Sequence, residues 1–165
     1  MPIRKPVIGV MGGSKATPDV AAMAERLGEL IAERGWILLT GGRNVGVMDA
    51  ASRGAKRAGG MVVGVLPDTT RTRASEHLDV AILTGLGDGR NLINVMSSDV
   101  VIACPGKLGT LSEIVLALKH DKPVILLDFE LGTDFESYRK RGALKAVATS
   151  EEALEQAADI LGHNT

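Results

Sequence analysis

Short apolar runs that alternate with helical patterns constrain the fold of this 165-residue chain more than any other feature. The runs are nearly continuous in apolar residues and are bounded by glycine or proline, as strands buried on both faces of a sheet are. This alternation predicts a three-layer α/β/α fold with a mostly parallel, doubly wound sheet. The length fits one domain over residues 1–165. The predicted strands cover residues 7–11, 36–40, 61–66, 80–83, 100–104 and 123–127.

Helical patterns fill the segments between these runs. The first predicted helix starts at Pro18 behind a Thr17 N-cap, carries one apolar stripe and ends at Gly35. The polar segment 67–79 predicts a mobile loop near the rim of the sheet. Further helices are predicted over residues 45–58, 88–96, 110–120 and 151–161.

Composition narrows the classes of partner. The net charge is −1, from 19 basic and 20 acidic residues, so no overall field attracts nucleic acid or an anionic membrane. Only 2% of the residues are aromatic, which leaves little to stack on bases. No apolar run approaches about 20 residues, and the N-terminus lacks a signal-peptide layout. A single cysteine, Cys104, fits the reducing cytoplasm. We therefore expect a cytoplasmic protein without nucleic-acid or membrane partners.

Three glycine loops follow predicted strands and precede predicted helices. Ligands of open parallel sheets bind beyond the carboxyl ends of the strands, and helix N-termini favour anions. Glycine lets the backbone approach a ligand closely, although it also serves tight turns alone. Three such loops with basic residues favour a pocket for a phosphate or another oxyanion. The candidate binding residues in these loops are Gly12, Gly13, Ser14, Lys15, Gly41, Gly42, Arg43, Gly106, Lys107, Gly109 and Thr110.

Several common cofactor motifs are absent from the sequence. Neither the dinucleotide fingerprint G-x-G-x-x-G nor the P-loop G-x-x-x-x-G-K-[ST] is present. Metal-ligand spacing is also missing, and no G-x-S-x-G elbow supports a serine triad. We therefore expect neither NAD nor a catalytic metal.

Glu113 and Arg90 each have two interpretations. Thr110 and Glu113 have the spacing of a T-x-x-E capping box, which favours a carboxylate that accepts a hydrogen bond from the Thr110 amide. In the alternative, Glu113 faces a ligand whose phosphate rests on the preceding loop. Arg90 shares a helix face with Asn94, with Asn91 at its edge, and this face is either solvated or holds a phosphorylated heterocycle.

The helix that contains LSEIVLALKH is apolar nearly all round. One sheet face cannot cover all of its apolar side chains, which predicts a second covering surface, most simply a subunit interface. Cys104 stands at the end of a predicted strand and has no paired histidine in the sequence. Its position favours buried packing over a nucleophilic role.

The spacing P-G-x-x-G-T-x-x-E, from Pro105 to Glu113, resembles the signature of the LOG-like superfamily, formerly labelled lysine decarboxylases. Its best-known members are phosphoribohydrolases that cleave nucleoside 5′-monophosphates to the free base and ribose 5-phosphate. The resemblance implies that Arg90, fifteen positions before Pro105, and Glu113 would form the catalytic pair of such an enzyme. The chain has Asn91 and Lys107 where those hydrolases carry lysine and glycine, and GLGDG where they carry Met-His, which disfavours hydrolysis.

A more extensive resemblance is to the molybdenum-cofactor carrier proteins of the same superfamily. It implies a cytosolic homo-oligomer, dimer or tetramer, that holds and protects molybdenum cofactor (molybdopterin) without transforming it. The ligand is a phosphorylated pterin with an oxyanion-like molybdenum centre, and molybdoenzymes are the implied recipients. The implied binding residues are the loop residues above, together with Arg90 and Asn91. The resemblance rests on residues 4–16, 35–51, 54–67, 85–101 and 116–127.

We therefore expect a Rossmann-like protein whose leading function is the carriage of molybdenum cofactor. The alternative is a nucleoside 5′-monophosphate phosphoribohydrolase, in which Arg90 orients the nucleotide and Glu113 stabilises the positive charge that develops on the ribose. A nucleotide-sensing module with neither role is the third possibility.

Overall fold

The computed structural model describes residues 4–163, and this range contains seven strands and six helices. The strands are β1 (Val7–Met11), β2 (Ile37–Thr40), β3 (Met61–Leu66), β4 (Val80–Leu83), β5 (Val100–Ala103), β6 (Val124–Leu127) and β7 (Leu144–Val147). The helices are α1 (Pro18–Glu33), α2 (Gly46–Arg57), α3 (Arg90–Ser97), α4 (Leu108–Lys119), α5 (Glu136–Lys140) and α6 (Ser150–His163). The 3₁₀ turns are Gly87–Gly89 and Thr133–Phe135.

All seven strands are parallel and lie in the order β4-β3-β2-β1-β5-β6-β7. The chain winds outward from β1 to β4 at one edge and then crosses to β5, on the other side of β1. This reversal places the topological switch point between β1 and β5, where the register pairs Met11 with Ala103. Loops after these two strands diverge and leave a crevice beyond their carboxyl ends. The prediction of a doubly wound, Rossmann-like sheet is confirmed.

Helices cover both faces of the sheet. Side chains such as Ile8 and Val10 pack with α1, α2 and α6, whereas Met11 and its neighbours on the opposite face pack with α3 and α4. Glycine permits an unusually close contact between α1 and α2. A Cβ added at Gly28 would lie 2.1 Å from the Ala51 carbonyl oxygen. These two helices are therefore held with their backbones almost in contact, and they support the loops at the carboxyl edge.

The strand β7 and the helix α5 were missed by the sequence analysis. In β7 only Leu144 is fully buried, and Lys145 interrupts the apolar pattern. The strand pairs only with β6, at the edge of the sheet, so it lacks the continuous apolar run of the central strands. The helix α5 has five residues, which is too short for a recognisable apolar stripe.

No helix within residues 4–163 has both the length and the apolar content needed to cross a membrane.

Candidate ligand-binding site

A cavity of about 300 Å³ lies at the switch point, beyond the carboxyl ends of β1, β2 and β5. The three glycine loops surround it, together with the start of α3 and the first turns of α4. Every predicted site residue except Gly42 lines this cavity. The lining residues are Val10, Met11, Gly12, Gly13, Ser14, Lys15, Gly41, Arg43, Met48, Asp88, Arg90, Asn91, Gly106, Lys107, Gly109, Thr110 and Glu113.

The first and third glycine loops touch each other directly. The Gly13 amide donates a hydrogen bond of 3.1 Å to the Pro105 carbonyl oxygen. A Cβ added at Gly106 would lie 2.1 Å from the Thr110 hydroxyl oxygen and 2.9 Å from the Gly13 nitrogen. Glycine at position 106 is therefore required by the packing of the protein itself.

Gly109 differs from Gly106 because its surroundings do not require glycine. It lies in the first turn of α4, and a Cβ added there would meet no described heavy atom within 4 Å. Its φ angle is outside the left-handed region, so alanine would fit without strain. Gly109 also lines the cavity, where the lack of a side chain suits a ligand that approaches the helix backbone closely.

Gly42 lies behind the cavity, in the turn that follows β2. Its φ of +79° is in the left-handed region that favours glycine. Its amide donates to the Thr40 hydroxyl oxygen at 3.0 Å, and its carbonyl oxygen accepts from the Ser75 amide at 2.8 Å. The structure thus gives Gly42 a role in turn geometry, where the sequence analysis predicted a ligand contact.

The N-terminus of α4 faces the cavity without a side-chain cap. The helix begins at Leu108, two residues earlier than predicted, and its N-cap Lys107 makes no capping hydrogen bond. The capping-box interpretation of Thr110 and Glu113 is wrong. Because the helix starts early, Glu113 lies in the second turn and points inward, where its Oε1 accepts a hydrogen bond from Nδ2 of Asn94 at 3.1 Å. The first-turn amides and Lys107 thus remain suited to an anion.

Arg90 and Glu113 are brought together from α3 and α4. Their Nη1 and Oε1 atoms are 3.6 Å apart, and only 12% and 7% of the two side chains are exposed. The Nη1 of Arg90 also donates to Oδ1 of Asn91 at 3.0 Å, while its buried Nε has no hydrogen-bond partner among the described residues. A Cβ on Gly41 would lie 2.7 Å from Nη1, so glycine at this position makes room for the guanidinium.

Burial dominates the electrostatics of this pair. It raises the pKa of Glu113 to about 7, because the loss of hydration outweighs the Asn94 hydrogen bond and the charge of Arg90. Burial also lowers the pKa of Arg90, although the guanidinium stays charged at neutral pH. The site therefore holds a permanent cation beside a carboxyl group that titrates near neutrality.

A second cation, Arg43, is held by the segment 67–79. The Oδ1 of Asp68 lies 3.2 Å from Nη2 of Arg43 and 2.6 Å from Nη2 of Arg73. Burial alone would raise the pKa of Asp68, but hydrogen bonds from the two arginines hold it below its usual range. The Asn44 amide also donates to the Arg73 carbonyl oxygen at 2.9 Å. These contacts fix the predicted loop beside the second glycine loop, while its mobility stays a prediction.

Four lining residues were not predicted. Val10 and Met11 end β1, Met48 lies in the first turn of α2, and Asp88 precedes α3. The two β1 residues were detectable in principle, because the last residues of a strand beside a switch point face the crevice. Met48 and Asp88 carry no local signal. Val10, Met11 and Met48 give the cavity an apolar wall that suits a flat heterocycle.

Cys104 packs beneath the third glycine loop, with no exposed surface. Burial raises the pKa of its thiol to about 12, so a thiolate does not form near neutral pH. In the part of the chain that the structure describes, no cluster of three or more His, Cys, Asp or Glu residues is arranged to hold a metal ion.

Comparison with known proteins places this geometry in a family. The SLOG cluster4 family profile matches residues 5–156, which include every residue that lines the cavity. The chain belongs to the SLOG cluster4 family. The predicted membership of the LOG-like superfamily is confirmed.

Solved structures resemble this SLOG cluster4 protein over nearly its whole length. The molybdenum cofactor binding protein of the phototrophic bacterium Rippkaea orientalis is 52% identical, with a TM-score of 0.90, and the match covers 96% of this chain and 99% of the other. The molybdenum cofactor carrier protein of Chlamydomonas reinhardtii is 42% identical, with a TM-score of 0.88 and the same coverage.

A hydrolase is a more distant relative of this SLOG cluster4 protein. The cytokinin riboside 5′-monophosphate phosphoribohydrolase of Mycobacterium tuberculosis is 36% identical over 118 residues. The match covers 67% of this chain and 63% of the enzyme. This chain thus spans somewhat less than two thirds of the length of that enzyme.

Proposed function

We propose that this protein binds and carries molybdenum cofactor in the cavity at the switch point, in the cytoplasm, and delivers it to molybdoenzymes. The similarity to molybdenum cofactor proteins at 52% and 42% identity, with coverage of 96% of this chain, supports the proposal. The similarity to the phosphoribohydrolase is lower and covers less of the chain.

One observation carries the proposal: the uncapped N-terminus of α4 opens into the cavity beside Gly109, with Lys107 at its entrance. Free amides at a helix N-terminus bind a phosphate or an oxyanion. The residues Gly106 to Thr110 would hold the phosphate end of the cofactor. Lys15 and Arg90 would attract a second negatively charged end, and the wall of Val10, Met11 and Met48 would contact the pterin ring.

The lining of the cavity suits a carrier. It includes no histidine and no cysteine, and the buried thiol of Cys104 offers no thiolate to compete for molybdenum. The bound cofactor supplies its own redox chemistry when it reaches a recipient enzyme. The residues of this chain would bind it, orient it and limit its contact with water.

A retention assay tests the proposal. Free protein is mixed anaerobically with molybdenum cofactor released from a molybdoenzyme and is then separated from unbound cofactor by gel filtration. We expect the protein to retain the cofactor and to slow its oxidation in air, and we expect Lys107→Gln to weaken retention by about tenfold. Lys119→Gln, at the opposite end of the same helix, is the matched control. Equal loss in both variants, or no retention by the natural protein, would refute the proposal.

The alternative function is hydrolysis of a nucleoside 5′-monophosphate. One specific observation favours it, the 3.6 Å approach of Arg90 and Glu113 inside the cavity. Purified protein is incubated with AMP and other nucleoside monophosphates, and free base is measured by chromatography. Base release that disappears in Arg90→Ala and in Glu113→Gln would establish hydrolysis and replace carriage as the main role. Absence of release would leave the carrier function.

We also propose that the protein is a homo-oligomer, a dimer or a tetramer. Both α3 and α4 belong to the layer that covers the sheet, yet four of their apolar side chains are 36% to 47% exposed: Leu92, Met96, Leu111 and Val115. A second copy would cover them and complete the burial that the apolar helix requires. Light scattering should give at least twice the mass of the chain, and Val115→Glu should reduce it to the mass of one chain.

A further inference from the structure

The proposed function leaves one buried group unexplained, the carboxyl group of Glu113. The carboxyl group lies in the wall of the proposed anion-binding cavity, and 7% of the Glu113 side chain is exposed. Among the described residues, its single hydrogen-bond partner is Nδ2 of Asn94, at 3.1 Å. The only cation within ion-pair distance, again among described residues, is Arg90 at 3.6 Å. A carboxylate with one hydrogen bond, and with one cation beyond hydrogen-bonding distance, is poorly stabilised at such burial.

The other charged groups around the cavity do not compensate Glu113. Helix α4 packs against α3, β5 and β6, and the two strands carry no titratable side chain. The remaining charged groups that line the cavity belong to its loops and to the turn before α3. These groups are Lys15, Arg43, Asp88 and Lys107. Of these, Arg43 is already paired with Asp68.

Ligand binding would place two anions on one cation. Within residues 4–163 the buried Nε of Arg90 has no hydrogen-bond partner, which leaves it for an anionic ligand, while Nη1 faces Glu113. A phosphate or oxyanion drawn to Arg90 would lie close to the Glu113 carboxyl, in a cavity of about 300 Å³ from which it displaces water. Two negative charges in such a site do not both persist, as in paired carboxylates that share one proton.

We propose that Glu113 is protonated when ligand is bound and that it donates a hydrogen bond to an acceptor atom of the ligand. The proton balance is simple: the carboxylate form of the free protein, one solvent proton and the anionic ligand give a complex with a neutral carboxyl. This inference rests on the proposed ligand site and adds a role for Glu113 that is distinct from catalysis and from capping. The proton is thus a second ligand of the cavity.

The pH dependence follows from the two states of the free protein. Because burial raises the pKa of Glu113 to about 7, the free protein already holds this proton below about pH 6 and has lost it above about pH 8. An anionic ligand raises this pKa further. We therefore expect the dissociation constant to increase about tenfold per pH unit above pH 7, up to the pKa of the complex.

Titration calorimetry at about pH 8 tests the inference. The probes are AMP and inorganic sulfate, and sulfate does not change its charge near this pH. Each is titrated in buffers of different ionisation enthalpy, against the natural protein and Glu113→Gln. The dependence of the heat on the buffer should show uptake of about one proton by the natural protein and none by the variant. The variant keeps a neutral donor, so it should bind about tenfold more tightly than the natural protein at pH 8 and equally at pH 6.

The outcomes separate this inference from the proposed function. Probe binding without proton uptake by the natural protein would overturn the inference, and this arm needs no variant. Equal proton uptake by Glu113→Gln would also overturn it, because the proton would then belong to another group. If neither probe binds, the inference falls together with the anion site. Proton uptake with AMP or sulfate, but no retention of molybdenum cofactor, would support the inference and refute only the choice of ligand.

Discussion

Gly109→Ala should stabilise the protein and weaken ligand binding at the same time. Position 109 is helical, and an added Cβ meets no described heavy atom within 4 Å. Glycine in a helix costs about 0.5–1 kcal/mol relative to alanine. For a chain of this size, that gain corresponds to a melting temperature about 1–4 °C higher for the free protein. The natural glycine thus has no benefit for folding at this position.

The same methyl group would occupy the space that a ligand needs. If a phosphate rests on the first-turn amides of α4, the Cβ of residue 109 pushes it outward and weakens charge-assisted hydrogen bonds worth about 1.5–3 kcal/mol each. We therefore expect the affinity for AMP and for molybdenum cofactor to fall about tenfold to a hundredfold. Thermal unfolding and titration calorimetry measure the two effects separately.

The matched control for this variant is Gly162→Ala. Gly162 is also helical, lies in α6 away from the cavity lining, and its added Cβ meets no described heavy atom within 4 Å. It should leave ligand affinity unchanged. If Gly109→Ala binds both ligands within about twofold of the natural protein, the ligand does not rest on the α4 N-terminus and the reasoning fails.

Three further predictions concern buried groups. Glu113→Gln should raise the free energy of unfolding of the free protein at pH 8 by about 1–3 kcal/mol. The pKa of Glu113 is about 7 in the folded state and 4.5 ordinarily, so the natural carboxyl group destabilises the folded state as the pH rises from 4.5 to 7. Chemical denaturation at pH 8 and pH 5 should therefore show a smaller gain at the lower pH. Gly28→Ala should lower the free energy of unfolding by about 3 kcal/mol, because its Cβ would lie 2.1 Å from a backbone oxygen of α2, and an unchanged melting temperature would contradict the observed helix contact. Cys104 should resist thiol reagents in the folded protein and react after unfolding, because burial raises the pKa of its thiol to about 12; fast labelling under native conditions would show that the loop above it opens.

Much of the fold could be predicted from local patterns in the sequence. The six predicted strands correspond to β1–β6 within a residue at each end, because each is a run of apolar residues. The expectation of burial on both faces is wrong for β4, which lies at the edge of the sheet and is largely exposed. The three glycine loops were also recognised, since each combines glycine with a strand end. The edge strand β7 escaped because it is only partly buried and Lys145 interrupts its short apolar run.

The role of Glu113 was decided by tertiary structure alone. Its spacing from Thr110 is that of a local capping box, yet α4 begins at Leu108 and turns the carboxyl inward. There it meets Asn94 and Arg90, which come from the helix before β5.

The sequence by itself therefore determined the elements, the order of the glycine loops and the family resemblance, because these depend on residues close together in the chain. Only the tertiary structure decided which loop residues face the cavity and which, like Gly42, support a turn. It also decided the charge state of the site. Glu113 loses hydration and lies 3.6 Å from Arg90 because of the way α3 and α4 pack beside the switch point. That packing cannot be predicted from a local sequence pattern.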